Sequence, residues 1–193
     1  MKILKVLIAA FLIIFICMTV CEAFSLFSST PSSKSPPTPA VKWTLDVSKR
    51  DSKVNQEFRI DEYRSYYFAL RFDYDTKGSQ ERIEADGLRV LALVGEGPQE
   101  DQGIKIPIHL KINKLDSGSF PPQLIYENTI LTHGTYATAF GNHRREIIEI
   151  NLKPGTYLVE ANTIEDRPEF SDTPSYLAIE PDSRMKFLPG SIK

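Results

Sequence analysis

Cysteine is almost absent from this sequence of 193 residues. The two cysteines, Cys17 and Cys21, both lie in the N-terminal hydrophobic segment, and residues 24–193 contain none. A disulfide framework, a cysteine nucleophile and a thiolate metal site are therefore excluded from residues 24–193. A folded domain in that part of the chain must depend on its hydrophobic core.

The sequence also lacks an excess of basic residues. Its formal net charge is -2, and setting aside Lys2, Lys5 and Glu22 of the N-terminal segment leaves 21 basic against 24 acidic residues. Nucleic-acid binders usually carry a basic stripe, because phosphate neutralisation supplies most of their affinity. We therefore expect no nucleic-acid partner. The basic pair Arg144-Arg145 is expected to be a solvated strand start.

Few groups suited to catalysis are present. The three histidines, His109, His133 and His143, are too far apart to form a local metal-binding motif. His109 is expected to face solvent on a strand, and the other two to be exposed in loops. The chain has no Gly-x-Ser-x-Gly elbow of a serine hydrolase. We predict no catalytic residue, no metal ion and no cofactor.

Long apolar runs are missing except near the N-terminus, where residues 6–20 are uncharged and apolar and follow Lys2 and Lys5. This run is shorter than the roughly 20 residues that span a bilayer comfortably as a helix, which favours a cleavable signal. Residues 1–23 are therefore predicted to be a hydrophobic leader helix, serving as a signal peptide or membrane anchor. The protein is predicted to be exported to the periplasm or to the periplasmic face of a bacterial membrane.

Three fates of this leader stay open. Cleavage after Ala23 ranks first, because Cys21 and Ala23 are small residues that flank Glu22. Lipid attachment would make Cys21 the first mature residue, although Val20 is larger than the residue that lipoprotein signals prefer there. In the third case the helix is retained and the protein associates with the membrane through it.

A Ser/Pro-rich stretch at residues 24–40 follows the leader. Such a composition cannot bury enough apolar surface to order itself. We predict a flexible linker at residues 24–40 and a single domain at residues 41–193.

Hydrophobic residues recur at every second position from residue 41 onward, as in half-buried β-strands. The predicted strands cover residues 41–47, 66–74, 88–94, 104–112, 124–126, 146–152, 156–163 and 176–179. Trp43 is expected in the core, and Pro107 at an edge or a bulge. Residues 88–94 are apolar on both faces, which favours a central strand, and no segment indicates a long amphipathic helix.

About eight or nine short strands separated by turn signals predict an all-β fold. An antiparallel two-sheet β-sandwich, resembling immunoglobulin or jelly-roll folds, is favoured over a barrel. The turn at Lys153-Pro154-Gly155 supports this, because the following Tyr157 can bind nearby backbone at a corner of the sandwich.

Several segments together resemble one bacterial family. They are Tyr67-Phe68-Ala69-Leu70-Arg71-Phe72, Gly103-Ile104-Lys105-Ile106-Pro107-Ile108, Arg145-Glu146-Ile147 and Asp166-Arg167-Pro168-Glu169. In this order they resemble the family called domain of unknown function 5625, over nearly all of residues 41–193. That resemblance implies a small exported envelope protein, often a predicted lipoprotein, and it implies no catalytic residue.

One candidate binding surface lies on the predicted strand at residues 66–74. Tyr67, Arg71 and Asp73 share its outer face, and Arg89 on another predicted strand is grouped with them. Aromatic and arginine side chains are favoured in binding hot spots. The plainer interpretation is a surface ion pair between Arg71 and a neighbouring carboxylate.

A second candidate surface is the charged loop that contains Asp166, Arg167 and Glu169. Pro168 stiffens this loop, and Phe170 ends it with an aromatic side chain. The loop is therefore a candidate protein-binding tip.

Three hypotheses about function follow. The first is a non-catalytic envelope protein that binds a partner protein, of accessory or periplasmic immunity type. The alternative is a carbohydrate-binding module for cell-wall or surface glycans, with Tyr67, Tyr126 or Tyr136 as its stacking platform. The third is a hydrolase that uses paired loop carboxylates such as Asp73 and Asp75.

Overall fold

The structure is a computed structural model that describes residues 41–97, 101–115 and 121–182. The predicted leader at residues 1–23, with the candidate lipid-attachment residue Cys21, lies outside the described residues, as does the predicted linker at residues 24–40. Within the three described ranges, no helix is long and apolar enough to cross a membrane.

The described part of the chain forms nine β-strands and one α-helix. In chain order they are β1 (Val41–Thr44), β2 (Lys53–Ile60), β3 (Arg64–Asp73), α1 (Gln80–Val94), β4 (Ile106–Leu115), β5 (Gln123–Thr132), β6 (Ala137–Ala139), β7 (Asn142–Leu152), β8 (Gly155–Thr163) and β9 (Ser175–Pro181). A short 3-10 helix at Pro168–Phe170 lies between β8 and β9.

The strands form two antiparallel sheets that face each other. The first has the order β1-β9-β3-β7-β6 and the second the order β2-β8-β4-β5. Phe58 of β2 and Phe68 of β3 meet edge to face between the sheets, with ring centroids 5.9 Å apart. The predicted two-sheet β-sandwich is confirmed.

Side-chain alternation in β4 shows why this segment is a strand. Ile106, Ile108, Leu110 and Ile112 are at most 1% exposed, whereas His109 between them is partly exposed. Burying each of these aliphatic side chains stabilises the fold by about 1.5–3 kcal/mol. The face predicted from the sequence is therefore the face that lies against the other sheet.

Pro107 occupies a position in β4 where its missing N–H costs little. It is paired with Leu131 of β5, and the pairing of β4 with β8 begins only at the next residue, Ile108. The strand is thus locally edge-like at Pro107, in agreement with the prediction.

The turn between β7 and β8 has the expected tyrosine corner. The Tyr157 hydroxyl donates a hydrogen bond of 2.7 Å to the Lys153 carbonyl. Tyr157 is 2% exposed and its ring stacks on Phe58 of the neighbouring strand β2. This bond ties the turn to the core.

The prediction for residues 88–94 was wrong, because they belong to helix α1 and not to a central strand. Val90 and Val94 face the core and are fully buried, whereas Leu91 is partly buried and Leu88 is 66% exposed. Apolar residues on more than one side of a helix give a run that also fits a buried strand. The Ser79 N-cap and Gly95, just beyond the last turn, are the local signals that distinguish the helix.

Three further expectations need correction. Strand β2 was missed, because only Val54, Phe58 and Ile60 of its eight residues are buried and they do not alternate strictly. The short strand β6 was missed as well. Trp43 is partly buried at the margin of the core and not within it.

Candidate functional site

An open groove of about 400 Å³ lies between α1 and the turn that joins β6 to β7. It is lined by Tyr74, Gln80, Ile83, Glu84, Gly87, Leu88, Leu91, Phe140 and His143. Phe140 is 73% exposed and Leu88 is 66% exposed, the highest values among large hydrophobic side chains in the described ranges. The groove is therefore bordered by two exposed apolar side chains.

Helix α1 forms one wall of the groove, and Gly87 lets the Tyr74 ring lie against it. A Cβ atom at Gly87 would be 3.3 Å from the Tyr74 ring. The Asp75 N–H also donates a hydrogen bond of 2.8 Å to Asp86 of the helix. That bond is the largest of the effects that lower the pKa of the Asp86 carboxyl, and Arg89 lowers this pKa further. The first half of α1 is thereby fastened to the end of β3.

The opposite wall is set by the turn that carries Phe140. Gly141 follows it with φ of 84°, a left-handed conformation that glycine adopts without strain. The Gly141 carbonyl accepts a hydrogen bond of 3.0 Å from the Tyr74 N–H. This bond links the turn to the segment after β3 and leaves the Phe140 ring in solvent.

The floor of the groove contains His143, which is 3% exposed. Its Nε2 lies 3.0 Å from the Gly87 carbonyl and its Nδ1 lies 3.2 Å from the Thr138 hydroxyl. A neutral ring that donates from Nε2 and accepts at Nδ1 satisfies both contacts. Burial lowers the pKa of His143, although the Gly87 carbonyl partly offsets this. Nε2 thus joins β7 to α1, and Nδ1 joins β7 to β6.

Arg145, two residues further along β7, holds the other end of the helix. Its side chain is fully buried, and its guanidinium donates to the carbonyls of Ile104 at 2.6 Å and of Val94. Longer bonds of 3.4 Å reach the carbonyls of Leu93 and Thr132. Burial lowers the pKa of Arg145 to about 10, so the side chain is charged at neutral pH.

This arrangement has a simple electrostatic reason. The last carbonyls of a helix lack partners within the helix and carry its negative dipole end, and Leu93 and Val94 supply two of them. The buried Arg145 cation donates to both carbonyls, and the Leu93 carbonyl also accepts the Ile104 N–H at 2.9 Å. Arg145 therefore fixes α1 and, with it, the wall of the groove.

The sequence interpretation of Arg145 and His143 was wrong. The register of β3 and β7 places His143 opposite Phe72 and Arg145 opposite Leu70, so both lie on the buried side of the sheet. Arg144 lies on the other side and forms an ion pair with Glu180. The Arg144 side chain is only 23% exposed, so neither arginine is the predicted solvated strand start.

The first predicted binding set is not brought together as one exposed surface. Tyr67 is 6% exposed and stacks on Tyr136, with ring centroids 5.3 Å apart. Arg71 and Asp73 form an ion pair of 2.6 Å, and Asp73 also pairs with Lys42 at 2.9 Å. The plainer interpretation as an ion pair thus describes their geometry.

Arg89 lies apart from that set, because it belongs to α1 and not to a strand. Its side chain pairs with Asp86 at 2.9 Å and donates to the Thr173 hydroxyl at 3.3 Å. It contributes to the attachment of α1, and its role in binding stays a prediction.

The second predicted set lies in the connection between β8 and β9. Asp166 and Glu169 are exposed, whereas Arg167 donates from its Nε to the Lys105 carbonyl at 2.7 Å and pairs with Glu165. Asp166 itself accepts the Arg50 N–H at 2.7 Å. These bonds hold the loop against its neighbours.

Phe170 does not present an exposed aromatic tip. It is 1% exposed, and its ring packs on Phe72 of β3 at a centroid distance of 5.2 Å. The aromatic residue of this loop belongs to the core, so only the charged side chains before it remain accessible to a partner.

The tyrosines proposed for glycan stacking do not form an exposed platform. Tyr67 and Tyr136 cover each other, and Tyr126 is partly buried on β5. Burial raises the pKa of the Tyr136 hydroxyl. Within the three described ranges, no three His, Cys, Asp or Glu side chains are grouped as metal ligands.

Sequence reasoning missed the groove, although some of its signals are local. Ser79 and Gly95 bracket α1, and Ile83, Gly87, Val90 and Val94 recur at helical spacing. The exposure of Phe140 has no local signal, because it depends on which elements pack beside the turn.

Comparison with known proteins locates the chain in a family and a fold. A profile described as "Domain of unknown function (DUF5625)" matches residues 43–181. The crystal structure of a protein from Sulfurospirillum deleyianum is similar, with a TM-score of 0.66 and 21% identity, covering 78% of this chain and 100% of that one. No curated protein is a significant match. At this level of identity, the structural likeness concerns the fold alone.

Proposed function

Since this chain belongs to the family called domain of unknown function 5625, we propose that it is a non-catalytic, exported protein that binds a partner protein through the groove beside α1. The exposed pair Leu88 and Phe140 carries this proposal. Large exposed apolar side chains that line one open groove are typical of interaction sites and costly to leave in water.

The contents of the groove favour binding over catalysis. Among the described lining residues, His143 is the only histidine, and its ring nitrogens already have partners in α1 and Thr138. Glu84, the only carboxylate among the described residues that line it, accepts a hydrogen bond of 2.7 Å from Gln80. The remaining lining is mostly apolar or aromatic, which suits an inserted hydrophobic side chain of a partner protein.

The exported location rests on the sequence of residues 1–23 and on the linker that follows. Within the envelope, an accessory subunit or an immunity protein of the periplasm would have the required build, a rigid sandwich with one apolar docking groove. Such a protein acts by binding one partner tightly.

The test is to tag the C-terminus, cross-link in the native cells, purify the protein and identify co-purifying proteins by mass spectrometry. Wild type is compared with Leu88→Asp and Phe140→Asp. The matched control is Tyr63→Asp, because Tyr63 is 40% exposed and precedes the opposite end of β3 from the groove. Reading the mature N-terminus from the same sample tests export and shows whether the leader is retained.

We expect one protein in near-equal amount with wild type and with Tyr63→Asp, and its loss with the two groove variants. With the purified partner, each groove variant should weaken binding by about 30-fold or more, as for a hot-spot residue. No protein above background, or a partner that both groove variants retain, would contradict the proposal.

A further inference from the structure

The described parts of the two sheets end in four edge strands, and three of them have features that discourage further pairing. Strand β1 has four residues and β6 has three. Strand β2 is longer but has three exposed charged residues, Lys53, Glu57 and Arg59. Short length and edge charges are the usual means by which proteins prevent a sheet from adding strands.

Strand β5 has neither feature. It has ten residues, and its only charged residue is Glu127. That carboxylate lies 3.6 Å from the Lys111 ammonium on β4 and is thereby partly neutralised. Leu124 and Leu131 are 53% and 48% exposed. No strand among the described residues pairs with the far side of β5.

The free edge of β5 already shows where a strand would bind. The Thr129 N–H is held by the side-chain oxygen of Asn128 at 2.8 Å, so this amide points away from the ladder with β4. Because backbone groups alternate along a strand, Glu127 also presents its backbone groups to the free edge. The Asn128 side chain occupies the place that a partner carbonyl would take.

The sequence of β5 is suited to pairing with itself. In an antiparallel pair centred on Asn128, Asn128 meets its own copy, Glu127 lies opposite Thr129, and Tyr126 lies opposite Ile130. Glu127 and Thr129 then exchange backbone hydrogen bonds. A two-fold axis at Glu127 would instead place the Glu127 carboxylates of the two copies opposite each other, which is unfavourable.

We propose that β5 binds β5 of a second copy of this chain about a two-fold axis at Asn128. The two four-stranded sheets would join into one continuous sheet, and the exposed leucines would lie beside the new strand. The Thr129 N–H moves from the Asn128 side chain to the Glu127 carbonyl of the other copy. This inference does not depend on the groove or its partner.

The test is sedimentation equilibrium of the purified protein over a range of concentrations, with two opposite substitutions at the axis. Asn128→Asp keeps the oxygen that holds the Thr129 N–H but places the carboxylates of the two copies opposite each other. Asn128→Lys places two ammonium groups there. Like charges this close should raise the dimer dissociation constant at least about tenfold at low salt, and less at high salt.

An equimolar mixture of the two variants should restore the dimer, because Asp and Lys then face each other. The matched control is Asn55→Asp on β2, an exposed edge strand of the same sheet, and it should leave the dissociation constant unchanged. A protein that is monomeric at every concentration would overturn the proposal. So would a dimer that neither Asn128 variant weakens.

Discussion

Replacing Arg145 with methionine tests whether one buried cation holds helix α1 on the sandwich. The substitution keeps much of the side-chain volume and removes the charge together with all its hydrogen bonds. Two of those bonds are short, to the carbonyls of Ile104 and Val94. A hydrogen bond from a charged group contributes about 1.5–3 kcal/mol, and a carbonyl left buried without a partner costs a similar amount.

The gain from no longer burying a guanidinium offsets part of this loss. We therefore expect Arg145→Met to lower the free energy of unfolding by about 3–4 kcal/mol, a large fraction of the 5–15 kcal/mol typical of a domain. The free energy of unfolding of Arg145→Lys should lie between those of wild type and Arg145→Met, because an ammonium keeps the charge but cannot reproduce the planar array of donors.

The assay is equilibrium urea unfolding, followed by Trp43 fluorescence and circular dichroism. The control is Arg59→Met, the same change at an exposed arginine of β2, where a surface ion pair with Asp61 is lost at a cost of about 1 kcal/mol. Hydrogen exchange of the Val90 and Val94 amides should also accelerate more in Arg145→Met than in the control. A loss below about 1 kcal/mol, or equal losses in both variants, would refute the role assigned to Arg145.

Three further predictions concern stability. Burial lowers the pKa of His143 below its ordinary value of 6.5. Below about pH 6.5 the unfolded chain therefore takes up a proton that the folded chain does not. The free energy of unfolding then falls as the pH decreases towards the pKa of the folded state. The loss of stability is at most about 1.4 kcal/mol per pH unit. Urea unfolding at pH 7.5 and at pH 5.5 should show a smaller loss in His143→Gln than in wild type. Equal losses in the two proteins would contradict this prediction. Tyr157→Phe should cost about 1 kcal/mol in thermal or urea unfolding, because it removes the bond to Lys153, and a neutral result would show that the corner bond adds nothing. Gly95→Ala should lower the free energy of unfolding by at least about 2 kcal/mol, since φ is 90° and the added Cβ would clash with the Asp101 carbonyl oxygen. Wild-type stability in urea unfolding would contradict this expectation.

The sequence predicted the parts of the fold that depend on local alternation. Strands β3, β4 and β8 and the second half of β7 place apolar residues at every second position, and that period is a property of the strand itself. The tyrosine corner is equally local, because Tyr157 binds a carbonyl only four residues earlier. These elements are enough to imply two packed antiparallel sheets.

The candidate site was not predictable in the same way. An apolar run such as residues 88–94 is compatible with a buried strand and with a helix covered on several sides, and only signals outside the run, Ser79 and Gly95, distinguish the two. Arg145 looks like a surface residue until the register with β3 places it opposite Leu70, on the buried side. Tyr67 looks exposed until Tyr136 stacks on it.

The sequence by itself therefore determined the class of fold, most strand positions and the likeness to one family, because each depends on residues close together in the chain. Tertiary structure alone decided that Arg145 binds the last carbonyls of α1 and that Leu88 and Phe140 border one groove. Leu88 and Phe140 lie on separate elements. Only the packing of α1 against β7, through contacts far apart in sequence, brings them together.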